Sequence, residues 1–211
     1  MKKLHFVITA GPTAEPIDPV RIITNRSTGI MGYEIALEAL KRKHRVTLIS
    51  GPVCLEAPKK AKVIHVETAA QMKKAVDKAV KGADCLIMAA AVADFRVEKA
   101  FEKKIKKKKE LILKLKQNPD ILGSVKKGTL KAKVGFALET DGLVRNAEKK
   151  MAAKGLDMVI ANKVCYNNDP FGNGKKGFTV ILKGGKRVFL NNLSKRQAAC
   201  AILDTLKNSV L

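Results

Sequence analysis

Tryptophan is missing from this chain of 211 residues, and aromatic residues of all kinds supply only 4% of it. Proteins that grip single-stranded nucleic acid stack bases on aromatic rings set among basic residues, and that interleaving is absent, as is any zinc-finger or RNP-like pattern. Nucleic acid is therefore not expected as a partner. Long apolar runs are lacking too: none approaches the roughly 20 residues that cross a bilayer. Met1-Lys2-Lys3 leads straight into a short apolar run carrying His5, so no membrane is expected and the implied address is the cytoplasm. Cysteine is sparse, and Cys54, Cys85, Cys165 and Cys200 form no Cys-x-x-Cys pair and have no histidine at metal-ligand spacing. They read as reduced and structural. Acidic residues are few, 19 against 42 Lys and Arg, for a formal charge of +23. A field of that sign concentrates nucleotides, phosphorylated metabolites or nucleic acid without choosing among them. Solvated lysines scattered over helix surfaces produce the same balance.

What is present reads as strands alternating with helices. Leu4 to Thr9 is an apolar run closed by Ala10-Gly11-Pro12, the pattern of a strand buried on both faces. Residues 10 to 26 hold Gly11, Pro12, Pro16 and Pro19 and read as a loop. Ser27 or Thr28 is placed to cap a helix that turns Met31, Ile35 and Leu40 inward and ends at Lys41-Arg42-Lys43. Strands follow at His44 to Ser50 and Val63 to Val66, then a helix opened by the capping-box spacing of Thr68 and Gln71. Cys85 to Ala90 is the next buried strand, running into Ala91-Val92-Ala93-Asp94. From Lys99 to Lys109 seven of eleven residues are lysine, which predicts a mobile loop. Asn118-Pro119-Asp120 opens a short helix, Val134 to Ala137 and Met158 to Ala161 are strands, and a helix lies between them. Lys183-Gly184-Gly185-Lys186 marks a hairpin, and Ser194 with Gln197 caps a last helix.

The expected architecture is a doubly wound α/β, Rossmann-like, mostly parallel sheet with a C-terminal hairpin appendage, one domain over residues 1 to 211. In such a sheet the loops after Thr9, Ala90, Leu115, Ala137 and Ala161 should meet at one crevice beyond the carboxyl ends of the strands. Two segments, around Gly11 and from Asn25 to Gly32, lie where a strand gives way to a helix. Neither is a Gly-x-Gly-x-x-Gly fingerprint or a Walker loop. Their glycines let backbone N–H groups approach an anion, and Ser27 and Thr28 add hydroxyls; a capped helix packed closely on the sheet explains the same residues.

Six ordered blocks carry a family resemblance: Gly11-Pro12-Thr13-x-Glu15-Pro16-Ile17-Asp18-Pro19-Val20-Arg21; Asn25-x-Ser27-x-Gly29-x-Met31-Gly32; Ala89-Ala90-Ala91-Val92-Ala93-Asp94-Phe95-Arg96; Lys104-Ile105-Lys106-Lys107; Asn118-Pro119-Asp120-Ile121-Leu122; and Gly135-Phe136-Ala137-x-Glu139-Thr140. Over residues 4 to 207 the chain resembles bacterial phosphopantothenate–cysteine ligase, the synthetase half of the bifunctional coenzyme A biosynthesis protein. The resemblance implies ligation in two steps, through an acyl-cytidylate made from 4'-phosphopantothenate and CTP and then displaced by cysteine. It also implies Mg²⁺ with the triphosphate, a homodimer, no flavin, and a separate phosphopantothenoylcysteine decarboxylase as functional partner. Carried over by position, Asn25 and Arg21 resemble residues that hold the acyl-cytidylate. Gly11, Ser27 and Gly29 match the phosphate loops, and Met88, Ala89 and Ala90 the nucleotide-contacting strand end. Asp94 matches a residue near Mg²⁺; Pro119, Asp120, Ile121 and Leu122 the helix start that holds the nucleoside; Phe136 a nucleotide contact. Lys104 resembles the lysine tied to nucleotide binding and turnover, and Lys150 and Lys154 two further nucleotide-binding lysines. Without the resemblance these positions also read as turn, cap, core and solvated surface.

The pattern is broken at three places. Ile30 stands where lysine is common, Ala14 where arginine is common, and Lys163 where aspartate commonly follows Ala-Asn. The first removes a cation from the phosphate loop. Two other readings are weaker. A nicotinamide-dependent oxidoreductase is opposed by the missing fingerprint and by the lack of an acidic residue after the second strand, and a basic nucleic-acid-binding module rests on charge alone.

Overall fold

The computed structural model describes residues 2–126, 128–164, 171–172 and 174–211. In chain order its elements are β1 (His5–Ala10), β2 (Ala14–Pro16), β3 (Ile22–Thr24), α1 (Ile30–Lys41), β4 (Arg45–Ser50), β5 (Lys62–His65), α2 (Ala69–Ala79), β6 (Cys85–Met88), β7 (Phe95–Val97) and β8 (Leu115–Gln117). They continue with α3 (Ile121–Ser124), β9 (Ala132–Glu139), α4 (Leu143–Lys154), β10 (Met158–Lys163), β11 (Lys176–Leu182), β12 (Arg187–Leu193) and α5 (Lys195–Ser209). Eight strands form one sheet in the order β12-β11-β10-β9-β6-β1-β4-β5. From β10 to β5 every pair is parallel.

The unbroken apolar runs make sense in that sheet, because successive side chains face opposite layers and both layers are dry. From β1, Phe6, Ile8 and Ala10 pack with Ile35 and Ala39 of α1 and with Ile202 and Leu206 of α5. Val7 faces the other way, into a core with Met72 and Val76 of α2 and Ala147 of α4. Helices on both faces make the sheet doubly wound, as the alternation predicts. Among the described residues no helix is long and apolar enough to cross a membrane.

Three local expectations change. Residues 10–26 are not simply a loop: β2 and β3 pair antiparallel, with Ala14 opposite Thr24. The Asp18 carboxylate accepts from the N–H groups of Val20 and Arg21 and so turns the chain between them. The terminal hairpin is no appendage. β11 pairs with β10, sends Val180 into one core and Ile181 into the other, and so continues the main sheet. Finally, neither Ser27 nor Thr28 caps α1. Gly29 occupies the N-cap with φ 78° and no side-chain cap bond. The segment after β4 comes so close there that a Cβ on Gly29 would lie 2.8 Å from Val53 Cγ1, and the positive φ also favours glycine. The capping boxes at Thr68 and Ser194 form as expected.

The lysine-rich stretch has no regular structure, yet it is anchored. Ile105 donates its N–H to Asp18 (3.1 Å), Phe101 donates to the Ile17 carbonyl (2.8 Å), and the strands flanking the stretch, β7 and β8, pair as a ribbon.

Candidate functional site

The strand end from Met88 to Asp94 is the spine of the site, and short polar side chains hold it on both flanks. The Thr9 hydroxyl accepts from Ala90 N–H (3.1 Å), and the Thr13 hydroxyl from Ala93 N–H (2.9 Å). The Asn25 amide donates to the carbonyls of Ala91 (3.0 Å) and Val92 (3.2 Å). From the other flank the Asn118 amide donates to Ala93 O (2.9 Å), while Asn118 N–H reaches Asp94 O (2.7 Å). Backbone that would otherwise be an irregular turn is thereby held in one conformation.

Around this spine lies a crevice of about 560 Å³ at the carboxyl rim of the sheet. Its lining comes from residues 27–32, from 88–94, from 117–122 and from Asn25, Phe136, Leu138, Lys150, Lys154, Asn162, Phe171, Phe178 and Lys195. The loops expected to converge do converge. Of the residues singled out by sequence, Asn25, Ser27, Gly29, Met88, Ala89, Ala90, Asp94, Pro119, Asp120, Ile121, Leu122, Phe136, Lys150 and Lys154 all line it.

Gly11, Arg21 and Lys104 do not. Gly11 packs under the turn after β4, where a Cβ would meet Val53 Cγ1 at 2.8 Å. Arg21 pairs with Asp18 (2.5 Å) and donates to the Ile105 carbonyl, which keeps it on the hairpin. Lys104 is exposed beside that same carbonyl.

The crevice is cationic on one wall. Lys150 Nζ donates to Phe136 O at 2.6 Å, and Lys154 Nζ to Asp120 Oδ1 at 3.0 Å. Burial, reinforced by the neighbouring Lys154 charge, lowers the Lys150 pKa, although Glu139, Asp120 and Asp94 pull the other way. At Asp120 burial raises the pKa, but the Gly123 N–H and Lys154 outweigh it and the net shift is downward. A second wall is the start of α1. With no side-chain cap, its first N–H groups and the positive end of its dipole face the crevice, an arrangement suited to an anion. Among the described residues no group of three or more His, Cys, Asp or Glu is placed to hold a metal ion. Asp94 and Asp120 do line the crevice, and Mg²⁺ held through one or two carboxylates plus phosphate oxygens fits that donor set.

Sequence reasoning missed Asn118 as a strut, and Asn162, Phe171, Phe178 and Lys195 as lining. Asn118 reads as a helix-capping residue and Lys195 as the second position of a capping box, so neither carries a signal of its own. Cys54, Cys85 and Cys200 are unpaired and lie outside the crevice lining, and burial pushes the Cys85 thiol up to about 12. Cys165 lies outside the described residues.

Residues 1–210 match the family model described as the DNA/pantothenate metabolism flavoprotein C-terminal domain. The chain is 44% identical over 207 residues to the Coenzyme A biosynthesis bifunctional protein CoaBC of Bacillus subtilis (strain 168), covering 96% of this chain and 50% of that protein. To the same-named protein of Escherichia coli (strain K12) it is 40% identical over 194 residues, 89% of this chain and 48% of that one. The chain thus spans about half the length of the curated relatives it matches. Its fold superposes on a crystal structure of the C-terminal domain of CoaBC with a TM-score of 0.82 at 34% identity, covering 99% of this chain and 96% of that one.

Proposed function

The chain belongs to the DNA/pantothenate metabolism flavoprotein C-terminal domain family, and on that premise we propose that it is a phosphopantothenate–cysteine ligase of coenzyme A biosynthesis that uses CTP. One observation carries the reading: Asn25, Asp94, Lys150, Lys154 and the uncapped start of α1 share a single crevice. A free carboxylate is a poor electrophile, and amide formation needs its oxygen turned into a leaving group. In the first step the carboxylate of 4'-phosphopantothenate attacks the α-phosphorus of CTP and pyrophosphate leaves. In the second, the amine of cysteine attacks the acyl carbon, loses a proton, and CMP departs. No electron changes hands, so the ligation itself requires no flavin.

The nucleotide occupies the half of the crevice built by α3 and α4. Ala89 and Ala90 let its base and sugar approach backbone, the turn from Pro119 to Leu122 and Phe136 enclose the nucleoside, and Lys150 and Lys154 bind its phosphates. Asp94 would hold Mg²⁺ together with phosphate oxygens, where the ion offsets their charge. The acid lies toward α1, whose N–H groups, with the Ser27 hydroxyl and Gly29, meet phosphoryl oxygens. Asn25, fixed against Ala91 and Val92, presents an uncharged amide to the acyl-cytidylate without adding a titrating group. Arg21 and Lys104 enter through the family resemblance; both adjoin the Ile105 backbone, outside the crevice.

The active form is a homodimer. Seven of the eleven large hydrophobic residues exposed among the described residues sit on the two ribbons and their connecting stretch: Val20, Ile22, Phe95, Phe101, Leu111, Ile112 and Leu115. Exposed apolar residues concentrated on one part of the surface suit a protein interface, and a second copy carries the same residues. The product then passes to a phosphopantothenoylcysteine decarboxylase.

The test is pyrophosphate release by purified protein supplied with Mg²⁺, cysteine and either CTP or ATP. Release that requires phosphopantothenate and prefers CTP is expected. Release from neither nucleotide would overturn the reading.

A further inference from the structure

The crevice straddles the sheet rim, and its lysines are divided between the two sides. Lys150 and Lys154 come from α4, on the face that packs against α2 and α3. The α1 side has no basic residue in the first turn of that helix, where Ile30, Met31 and Gly32 line the crevice. The lysine lining that side is Lys195, the first residue of α5, which lies on the same face of the sheet as α1.

Lys195 follows the N-cap Ser194 directly, so its charge meets the positive end of the α5 dipole. It is also only 8% exposed, and ordering and desolvating so long a side chain is costly. The ammonium is nonetheless held at a defined point, donating to the Phe171 carbonyl at 2.7 Å. The same oxygen accepts from Thr28 Oγ1 at 3.1 Å. Thr28 precedes Gly29, the N-cap of α1. One carbonyl therefore joins the start of α5 to the phosphate loop, and the two donors lie no farther apart than those two bonds laid end to end.

We propose that Lys195 is a positioning residue for the phosphorylated acid: with Thr28 it clamps the Phe171 carbonyl, and so fixes the wall of the α1 half of the crevice beside the uncapped helix start. The inference rests on the ligase reading and deepens it, because it assigns the acid and the nucleotide to separately built halves. Phe171 lines the crevice between the two clamping side chains, so its position sets the width of the acid's seat.

The test is steady-state kinetics of Lys195→Met, Thr28→Val and the double variant, with phosphopantothenate and CTP varied separately and a thermal melt of each protein. Lys195→Met should raise KM for phosphopantothenate about tenfold, the scale of one charge-assisted hydrogen bond, and leave KM for CTP within about twofold. Lys195→Arg should recover most of the loss. Thr28→Val should move the same constant, and the two effects should be less than additive in the double variant, because both side chains donate to the Phe171 oxygen. Equal rises in both KM values, a fall in kcat alone, or additive effects would overturn the proposal. Should Lys195→Met melt early, Thr28→Val carries the same discrimination. A wild-type protein inactive with all three substrates sinks the ligase reading and this inference together, whereas an active wild type indifferent to Lys195 sinks the inference alone.

Discussion

The Lys150 ammonium lies 2.6 Å from the Phe136 carbonyl oxygen, and that contact ties α4 to β9 at the edge of the crevice. Phe136 thereby owes its position partly to a side chain that the proposed function assigns to the polyphosphate. One lysine links backbone geometry to substrate charge.

The first prediction concerns pH. Because burial lowers the Lys150 pKa, the folded protein releases this proton below the ordinary lysine value of 10.5 and the unfolded chain releases it there. Between those two points the unfolded state binds more protons, so stability rises with pH across the window and is penalised below it. Nucleotide binding runs the opposite way, since KM for CTP should climb as the amine loses its charge. Lys150→Met should start with a KM about tenfold higher and lack that alkaline limb. An identical limb in the variant would assign it to another group.

Asn25→Ala removes the amide that bridges to Ala91 and Val92. Product formation should fall by about a hundredfold or more, the scale of a misplaced reacting group, because the strand end that the amide holds is released. Asn25 is exposed, so stability should change by about 1 kcal/mol or less. Chemical denaturation alongside a product assay separates the two, and near-normal turnover would remove Asn25 from the reacting centre.

Gly32→Ala tests the seating of α1. A Cβ at that position would lie 2.6 Å from Ala10 Cβ and 2.9 Å from Thr9 O, so the helix must shift away from β1. Overpacking of this kind costs about 1–3 kcal/mol. The urea midpoint should drop accordingly, and because residues 27–32 move with the helix, affinity for the phosphorylated acid should weaken as well. An unchanged midpoint would mean that the contact relaxes without cost.

The ribbon patch yields a prediction about assembly. Ile112 is 90% exposed and Phe95 51%; the pair of changes Ile112→Lys and Phe95→Lys should convert a dimer into a monomer at micromolar concentration in sedimentation equilibrium. A wild-type protein that is already monomeric there would refute the homodimer.

Much of this molecule can be read locally. The Thr68 and Ser194 capping boxes form because their partners are three residues away. β1, β6 and β10 are legible because a strand buried on both sides has no polar face to alternate. The hairpin around Gly184 and Gly185, each with positive φ, follows from glycine's freedom at a tight turn. Expectation failed at α1, where Ser27 and Thr28 are good capping residues by type. A close approach of the turn after β4 puts Gly29 at the cap instead, and Thr28 is drawn to Phe171, 143 positions along the chain.

Sequence alone therefore determined the sheet, its two apolar layers and most helix starts, because apolar periodicity and capping act over a few residues. Which further cations join Lys150 and Lys154 in the crevice was decided only in three dimensions. Arg21 and Lys195 are both long basic side chains, yet the first is turned onto its own hairpin by Asp18 and the second reaches the crevice from the start of α5. The reason is geometric: a charged side chain is recruited to a site according to where its element ends relative to the sheet rim, a relation set by packing across the whole molecule.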